Sequence, residues 1–294
     1  MRIADFCIFN DDGCMRFTKM QGAGNDYVYV NCMVERVDNP EQLAITVSNR
    51  NFGIGSDGLV LICPSEVADF RMRMFNADGS ESQMCGNASR CVGKYVYEKG
   101  LTSKECISLE TLAGIKYLNL AVKDGKVETI TVDMGIPELK PEKIPVKAAG
   151  DMFVNRDVDI NGHVLKMTCV SMGNPHAVIF VEDMDEIDIP SVGKMIENHC
   201  LFPEKTNVEF VQMLKDDKFK MRVWERGAGE TLACGTGACA TLVAAMLSGF
   251  TKQQQATIQL RGGSLDIKWD AETEHVFMTG DATIVFDGEL FIND

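Results

Sequence analysis

Short runs in which apolar and polar residues alternate recur along the whole chain. Such alternation is typical of β-strands that bury one face. Two segments carry a helical pattern instead, one from Ala88 to Gly100 and one from Gly237 to Phe250, each with a glycine near its end, where helices commonly stop. The sequence therefore predicts a mainly β chain with one helix in each half. The predicted strands are 72–76, 106–110, 129–134, 176–181, 220–224, 256–260, 265–269 and 275–280.

The pattern occurs twice, at a constant separation of 149 residues, from Met72 to Met221. Three separate blocks align at this one separation, and twice 149 is close to the chain length of 294 residues. A fixed-period repeat of this kind predicts two copies of one domain. The residues that align are Asn25 with Asn174, Gly58 with Asn207, Met72 with Met221, Glu81 with Glu230, and Cys85 with Cys234.

The predicted fold class is α+β, with two homologous domains related by a pseudo-twofold axis, each made of mainly antiparallel strands around a central helix. We expect an N-terminal repeat domain of residues 1–134 plus 277–294, and a C-terminal repeat domain of residues 135–276. The last segment is assigned to the first domain because the strand-like run TIVFDGELFI can return to it. The Pro- and Lys-rich segment 138–151 is predicted to cross between the halves.

Composition and charge narrow the choice of partners. The chain is 45% hydrophobic and carries a formal net charge of −14, so neither nucleic acid nor an anionic membrane is expected as its main partner. The N-terminus lacks the basic region and long apolar run of a signal peptide, and no apolar run is long enough to cross a bilayer. These features predict a soluble cytoplasmic protein.

Two of the eleven cysteines stand apart from the others. Cys85 and Cys234 each precede a glycine and the start of a predicted helix, at matching positions of the repeat. A thiol at a helix N-terminus lies at the positive end of the helix dipole, which acts to lower its pKa. The backbone N–H groups of the first helical turn also form a site for an anion such as a carboxylate.

Two such helix starts suit proton transfer at a carbon centre. Inversion of that centre needs a base on one face and an acid on the other, and a thiolate with a thiol supplies both. Backbone N–H groups that bind a substrate carboxylate would stabilise the carbanion. The residues alone therefore predict a cofactor-independent amino-acid racemase or epimerase, with Cys85 and Cys234 as its catalytic groups.

Two other kinds of site, a metal site and a dinucleotide-binding site, are alternatives for these cysteines and for a glycine-rich segment. A metal site would use Cys85, Cys91, Cys234 and Cys239, but their C-x5-C and C-x4-C spacings differ from the C-x2-C of zinc sites. The segment 53–58 matches G-x-G-x-x-G, yet a strand-like run follows it where a dinucleotide site needs a helix. We predict neither metal nor cofactor. A thiol-rich metal or redox protein stays open as an alternative of a different class.

Four segments of the chain resemble the diaminopimelate epimerase family. They follow one another in the family's order and span nearly the whole chain. The resemblance implies a two-domain fold, interconversion of LL- and meso-2,6-diaminopimelate in lysine biosynthesis, no pyridoxal phosphate and no metal, and a homodimer. The segments are GAGNDYV (22–28), FNADGSESQMCGNASRC (75–91), SMGNPHAVIFVED (171–183) and WERGAGETLACGTGACA (224–240).

The resemblance also implies the roles of particular residues. It makes Cys85 and Cys234 the acid–base pair. A proline or hydroxyproline racemase of the same superfamily stays open as an alternative, although its small ring substrate would not need Asn76, Asn207 and Arg226 together. A substrate with an amino-acid group at each end does need such donors and acceptors at its distal end. The implied substrate-binding residues are Asn25, Asn76, Asn174, Asn207, Glu225 and Arg226, and the backbone of Gly86, Asn87, Gly235 and Thr236.

The sequence departs from the family's pattern in three places. Ala88 and Ser89 stand where the family usually has glycine and alanine, and an alanine disfavours a left-handed backbone there. Gly58 stands where some members have a side chain that reaches the site. About 14 residues precede Met15, where the family's chain commonly begins. An extra strand, a dimer contact and a misplaced start are all open readings of that extension.

Overall fold

The computed structural model describes residues 7–8, 14–215 and 217–291. In these residues the chain is an α+β protein dominated by strands, with four α-helices, as its sequence pattern predicts. It divides into two compact units, Met1–Val132 with Gly280–Asp294, and Asp133–Thr279. The C-terminal strand that the sequence assigns to the first half belongs to the first unit.

In the first unit a mixed sheet surrounds one long helix. Strand β2 lies between β20 and β3 and is antiparallel to both, and β3 pairs in parallel with β5. β5 is antiparallel to β6, which pairs in parallel with β8, and β8, β9 and β10 continue as antiparallel neighbours. The elements are β1 (Cys7–Ile8), β2 (Cys14–Gly22), β3 (Asn25–Asn31), β4 (Arg36–Val37), α1 (Pro40–Ser48), β5 (Gly58–Cys63), β6 (Phe70–Asn76), β7 (Glu81–Ser82), α2 (Gly86–Glu98), β8 (Cys106–Thr111), β9 (Gly114–Lys123), β10 (Lys126–Gly135) and β20 (Thr283–Phe291).

The second unit repeats most of the element order of the first, without a counterpart of the two-residue strand β4. Strand β12 lies between β11 and β13, β13 is parallel to β14, and β14 is antiparallel to β15. β15 pairs in parallel with β17, and β17, β18 and β19 are antiparallel. The elements are β11 (Arg156–Ile160), β12 (His163–Ser171), β13 (Pro175–Val181), α3 (Ile189–Glu197), β14 (Asn207–Met213), β15 (Lys218–Glu225), β16 (Gly229–Glu230), α4 (Gly235–Leu247), β17 (Gln255–Leu260), β18 (Gly263–Trp269) and β19 (Val276–Gly280).

The repeat seen in the sequence is present in the structure, element by element. Four elements of the first unit begin and end 149 residues before their counterparts in the second, namely β2 with β12, α1 with α3, α2 with α4 and β8 with β17. All eight predicted strands lie in strands of the structure, and the two predicted helices are α2 and α4. Both helices are followed by a glycine with positive φ, Gly100 at 72° and Gly249 at 79°.

The sequence pattern did not predict α1 and α3, which are nine residues long. Each begins with a capping side chain followed by an early proline. Asn39 Oδ1 accepts from Gln42 N–H at 3.2 Å, and Asp188 Oδ1 accepts from Ser191 N–H at 3.3 Å. This cap-and-proline signature is the local signal that could have identified both helices.

Segment 138–151 does not cross between the units. The division falls at Val132 and Asp133, and the segment packs into the core of the second unit. Ile144 and Val146 are 2% and 4% exposed in that core. Its prolines and lysines suggested a linker, but the two apolar side chains between them are buried.

The N-terminal extension contributes a short strand. Cys7–Ile8 pairs antiparallel with Arg36–Val37. This agrees with the extra-strand reading for those two residues, and the rest of the extension before Cys14 lies outside the described residues. Among the described residues, no helix has the length and apolar composition needed to cross a membrane.

Candidate active site

The two candidate catalytic cysteines occupy the same structural position in their units. Cys85 is the N-cap of α2 with φ −138° and ψ 121°, and Cys234 is the N-cap of α4 with φ −128° and ψ 109°. Both helices are 13 residues long. The first-turn N–H groups of such a helix have no acceptor within the helix, so they can bind an anion beside the thiol.

In the first unit, the first residue of β5 is paired with both neighbouring strands. This residue, Gly58, is paired with Tyr27 of β3 and with Asn76, the last residue of β6. A Cβ atom at Gly58 would lie 2.1 Å from Phe75 O and 2.8 Å from Tyr27 Cε1. These atoms leave no room for a side chain, so the packing around position 58 requires glycine.

Asn25 is oriented towards the thiol of Cys85. The Cys85 thiol donates to Asn25 Oδ1 with an Sγ–O distance of 3.5 Å. Asn25 Nδ2 donates to Asp57 Oδ2 at 2.8 Å, and Arg50 Nη2 donates to Asp57 Oδ1 at 2.9 Å. The amide is thus fixed by a carboxylate, which leaves its oxygen facing the sulfur.

The start of α2 is held by a buried cation. Arg90 is 0% exposed, its Nη1 donates to Asn87 Oδ1 at 3.0 Å, and its Nε donates to Asp281 O at 3.0 Å. Burial lowers the pKa of Arg90. Ser89 donates its hydroxyl to Cys85 O at 3.0 Å, which ties the first turn to the cap residue.

The departure at Ala88 has no structural cost. Ala88 lies in the first turn of α2, is fully buried and has no left-handed backbone. The expected penalty for an alanine at this position therefore does not arise, because the helix has already begun at Gly86.

Asn76 lies in the turn that follows β6. Its Nδ2 donates to Ser80 Oγ at 3.0 Å and its backbone N–H donates to Ser80 O at 2.9 Å. The side chain is half-buried and lies beside Gly58 in the strand register. Asn76 therefore has a structural role as a turn residue in addition to its place at the strand ends.

In the second unit, Asn207 occupies the position that Gly58 has in the first. It is 4% exposed, its Nδ2 donates to Pro175 O at 3.0 Å, and its Oδ1 accepts from Arg226 N–H at 2.8 Å. The Arg226 side chain is exposed and donates from Nη1 to Glu204 O at 3.0 Å. Asn207 thereby joins β14 to the turn after β15.

Cys234 lies in a more buried environment than a helix cap usually provides. It is 6% exposed, and its Sγ lies 3.4 Å from Thr236 Oγ1. Burial raises the pKa of the Cys234 thiol well above its usual range, and the carboxyls of Glu225 and Glu209 raise it further. The hydrogen bonds from Thr236 and from the N–H of Gly237 oppose this only in part. The sequence-based expectation of a lowered pKa is therefore not met at Cys234.

Glu225 is the ionisable group beside this thiol. Burial raises the pKa of Glu225, and the nearby charge of Glu209 adds to that effect. The Thr231 hydroxyl donates to Glu225 Oε1, and Glu225 also shares a hydrogen bond with Cys234. A carboxyl with a raised pKa in contact with a thiol is suited to exchange a proton with it.

His176 and Glu209 complete the environment of Cys234. Both side chains are fully buried, and His176 Nδ1 lies 2.7 Å from Glu209 Oε1. His176 Nε2 lies 3.0 Å from Asn174 Oδ1, so the imidazole connects a predicted substrate-binding residue to Glu209. Within the described residues, Glu209 Oε2 is buried without a hydrogen-bond partner.

The sequence analysis assigned no role to His176 and missed Glu209 altogether. A glutamate in the middle of an apolar strand run, Val208 to Val211, is the signal that could have identified it. The helix start packs directly on this carboxylate, since a Cβ at Gly237 would lie 2.6 Å from Glu209 Oε1.

One group of side chains could hold a metal ion. The ligand atoms of His176, Glu209 and Cys234 lie within 4.8 Å of one another, and across residues 7–8, 14–215 and 217–291 it is the sole such group of three or more. Both ring nitrogens of His176 already contact oxygen atoms. Cys91 and Cys239, which the alternative metal reading would need, are 0% exposed inside the helices, so they pack in the cores.

Solved structures of low sequence identity share this fold. A probable proline racemase from Agrobacterium radiobacter superimposes with a TM-score of 0.68 at 15% identity, over 95% of this chain and 93% of that one. A phenazine biosynthesis protein of the PhzF family from Bacillus anthracis gives 0.67 at 20% identity, over 95% and 99%. These likenesses define the class of fold alone, that of proline racemase-like and PhzF-like α+β proteins.

Sequence comparison defines the family within that class. The profile of the family described as Diaminopimelate epimerase matches residues 17–140 and 168–285. A diaminopimelate epimerase from Acetivibrio thermocellus is 58% identical over 280 residues, covering 95% of this chain and 100% of that protein. One from Methanococcus maripaludis is 55% identical over 278 residues, covering 95% and 100%. The chain belongs to the diaminopimelate epimerase family, a family of isomerases, and the predicted resemblance is confirmed.

Proposed function

We propose that this protein interconverts LL- and meso-2,6-diaminopimelate in lysine biosynthesis, without a cofactor, and that Cys85 and Cys234 transfer the proton. The observation that carries the proposal is the matched position of the two thiols. Each is the N-cap of a 13-residue helix, and the two are 149 residues apart in a repeat that extends through both units. Relatives at 58% and 55% identity are named diaminopimelate epimerases.

The proposed reaction needs only the groups of the chain. One cysteine, as thiolate, removes the proton from the α-carbon, and the other, as thiol, donates a proton to the opposite face. The electron pair left on carbon is delocalised into the substrate carboxylate, which the N–H groups of the helix starts stabilise. Those groups belong to Gly86 and Asn87 in α2, and to Gly235 and Thr236 in α4.

The network around Cys234 sets the protonation of that thiol. Its raised pKa favours the thiol form, so Cys234 is held ready to donate a proton. In the reverse direction it must first lose its proton, and Glu225 is the hydrogen-bonded carboxyl that can accept it. His176 holds Glu209 in place beside both groups.

The distal end of the substrate is assigned to polar side chains at the strand ends. We propose that the substrate is bound there by Asn25, Asn76, Asn174, Asn207, Glu225 and Arg226. Asn207 and Arg226 are joined by the hydrogen bond from Arg226 N–H, and the Arg226 guanidinium is exposed and can bind a carboxylate. This set distinguishes a long substrate with two amino-acid groups from a small ring.

The decisive measurement is deuterium uptake from heavy water into LL-diaminopimelate, with purified protein, reductant and no added cofactor. We expect uptake at one α-carbon together with formation of the meso isomer. Cys85→Ser and Cys234→Ser should each lower kcat by roughly 10²–10⁴-fold, the usual contribution of a positioned acid or base. The matched control is Cys106→Ser, because Cys106 is an exposed thiol outside the helix starts.

Other outcomes would assign the protein elsewhere. Exchange into proline or hydroxyproline but not into diaminopimelate would move it to the racemases that share its fold. No exchange with any of these substrates, together with stoichiometric zinc or iron by elemental analysis, would favour a thiol-rich metal or redox protein. Full activity in Cys234→Ser would contradict the two-thiol assignment.

We further propose that the protein works in the cytoplasm as a homodimer. Strand β20 supports the second part, since Val285, Phe286 and Phe291 on it are 53%, 46% and 59% exposed. Apolar side chains on an exposed strand are typical of a surface that pairs with another subunit. Sedimentation equilibrium tests this, and a mass of one chain at micromolar concentration would contradict it.

A further inference from the structure

A second pair of cysteines lies in the first unit, away from the helix starts. Strands β3 and β5 are parallel, and their last paired residues are Asn31 and Ile62. The ladder continues by one residue, because Cys32 N–H donates to Ile62 O at 2.8 Å. Cys32 and Cys63 are therefore direct neighbours across the two strands.

The two side chains share one face of the sheet. Side chains alternate along a strand, so Cys63 is on the face of Leu59 and Leu61, and Cys32 is on the face of Val28 and Val30. These four residues belong to one buried core cluster, and both cysteines pack against it as half-buried residues. Neighbouring strands lie about 4.8 Å apart, within the about 4.4–6.8 Å that separate the Cα atoms of a disulfide.

Two arginines flank the pair on the next strand. Arg71 is the direct partner of Cys63 on β6, and Arg73 is the partner of Leu61, two residues along the same face. A hydrogen bond between the two thiols, together with the charges of Arg73 and Arg71, lowers the pKa of Cys63 against the opposing effect of burial. The pKa of Cys32 is raised by the same bond and by burial.

We propose that Cys63 and Cys32 form a thiol–disulfide exchange site, in which Cys63 attacks low-molecular-weight disulfides and Cys32 resolves the product. The site does not depend on the proposed function. It lies at the opposite ends of the strands that carry Asn25 and Gly58, which are the first residues of β3 and β5.

The reaction balances with a small disulfide as the oxidant. The Cys63 thiolate attacks one sulfur of that disulfide, whose S–S bond breaks, and one thiolate leaves. The Cys32 thiol then gives its proton to the departed thiolate and attacks the Cys63 sulfur, which expels the second thiolate. The second thiolate takes up the proton that Cys63 released to water when it ionised, so two protein thiols are oxidised and one small disulfide is reduced to two thiols.

A metal site at the same place is less consistent with the structure. A tetrahedral soft-metal site takes four ligands, or three with one open position. In the described part of the chain, Cys32 and Cys63 belong to no group of three clustered metal-ligating side chains. Two cationic side chains beside the thiols also oppose the approach of a metal cation.

Peptide mapping tests the proposal directly. The full-length protein is incubated with glutathione disulfide at neutral pH, blocked with iodoacetamide and digested with trypsin without reductant. Tryptic peptide 20–36 contains only Cys32, and peptide 51–71 contains only Cys63, so a disulfide between them gives one linked species. We expect this species to form, and peptide 105–116 with the exposed Cys106 serves as the internal control.

Variants separate the attacking thiol from the resolving one. In Cys32→Ser, Cys63 should accumulate as the mixed disulfide with glutathione, whereas in Cys63→Ser, Cys32 should remain reduced. With limiting iodoacetamide in the wild-type protein, Cys63 should react about tenfold faster than Cys106, because thiolates are the reactive form. Cys106→Ser should leave the linked species unchanged.

Three results would overturn the proposal. One is the absence of the linked species when Cys106 has already become a mixed disulfide. Another is a mixed disulfide on Cys32 in Cys63→Ser together with no mixed disulfide on Cys63 in Cys32→Ser. This result would reverse the roles of the two thiols. The third is Cys63 reacting no faster than Cys106. Epimerase activity under reductant is measured in parallel in both serine variants and should equal that of the wild type. A failure of the thiol–disulfide exchange site can then be distinguished from a failure of the proposed epimerase function.

Discussion

At the residue scale, Cys234 shows how burial competes with a helix dipole. A helix N-terminus stabilises a negative charge by about 0.3–1 kcal/mol, which is less than about one pKa unit. Burial shifts pKa values by up to about 3–5 units. At Cys234 burial and two carboxyls act together against the dipole, so the pKa of the thiol is raised.

Replacing Glu209 tests this electrostatic account. Glu209→Gln removes a charge that raises the pKa values of both Cys234 and Glu225. We therefore expect the pH–rate profile for meso- and LL-diaminopimelate to move to lower pH. The charge-matched control is Glu182→Gln, because Glu182 is an exposed residue at the end of β13. A profile that moves equally in both variants, or moves to higher pH in Glu209→Gln, would contradict the account.

Replacing Glu225 separates activity from stability. The pKa of Glu225 is raised in the folded state, so its contribution to stability is fully present below the unfolded pKa and is lost as the pH rises. The amide side chain introduced by Glu225→Gln does not ionise, so its contribution to stability does not change with pH. Glu225→Gln should therefore lose activity, while its melting temperature relative to wild type increases between pH 5 and pH 8. If the melting temperature of Glu225→Gln relative to wild type falls between pH 5 and pH 8, the pKa of Glu225 is lowered and not raised in the folded state.

At the element scale, α2 and α4 begin in the same way but are held differently. The start of α2 is tied to Arg90 through Asn87, whereas α4 carries Cys239 at the position equivalent to Arg90. The start of α4 packs on Glu209 instead, through the close approach of Gly237. Equivalent helices thus use a buried cation in one unit and a buried carboxylate in the other.

Arg90→Ala tests the importance of the cation for α2. It removes the hydrogen bonds to Asn87 Oδ1 and Asp281 O and leaves a cavity, so we expect a loss of about 3 kcal/mol or more in the free energy of unfolding. Because the proposed carboxylate site at the start of α2 would loosen, KM should rise. Arg36→Ala is the control, since its side chain is 69% exposed. Urea unfolding measures both, and equal losses in the two variants would refute the role of Arg90.

At the scale of the whole molecule, both units contain carboxylates that form ion pairs, most of them partly buried. The pKa values of these groups are lowered because hydrogen bonds and nearby cations outweigh burial. They are Asp26, Asp69, Glu98 and Asp287 in the first unit, and Glu197 and Glu230 in the second.

These carboxylates predict sensitivity to acid. A group whose folded pKa is lowered stabilises the fold above its unfolded pKa, and this contribution is lost as the pH falls through the folded pKa. The free energy of unfolding should therefore decrease as the pH falls below about 4, the unfolded value for such groups. Urea unfolding between pH 6 and pH 2.5 measures it. A free energy that is constant over this range would contradict the expectation.

Much of the molecule could be predicted from local sequence. The repeat separation, the eight strands and the two long helices follow from side-chain periodicity, which is a property of neighbouring residues. The cysteine positions follow from the repeat itself. Helices α1 and α3 were missed although their caps were visible, and although α3 places Ile189, Val192 and Ile196 at helical spacing on one face.

The sequence by itself determined the α+β class, the duplicated order of elements and the two thiols at helix starts. Only the tertiary structure determined the raised pKa of the Cys234 thiol, the hydrogen-bond partner of His176 and the proximity of Cys32 to Cys63. Each of these depends in part on a contact between residues 25 or more positions apart, such as His176 with Glu209 at 33 positions. Periodicity carries no information about such contacts, because they arise only when strands and helices pack against one another.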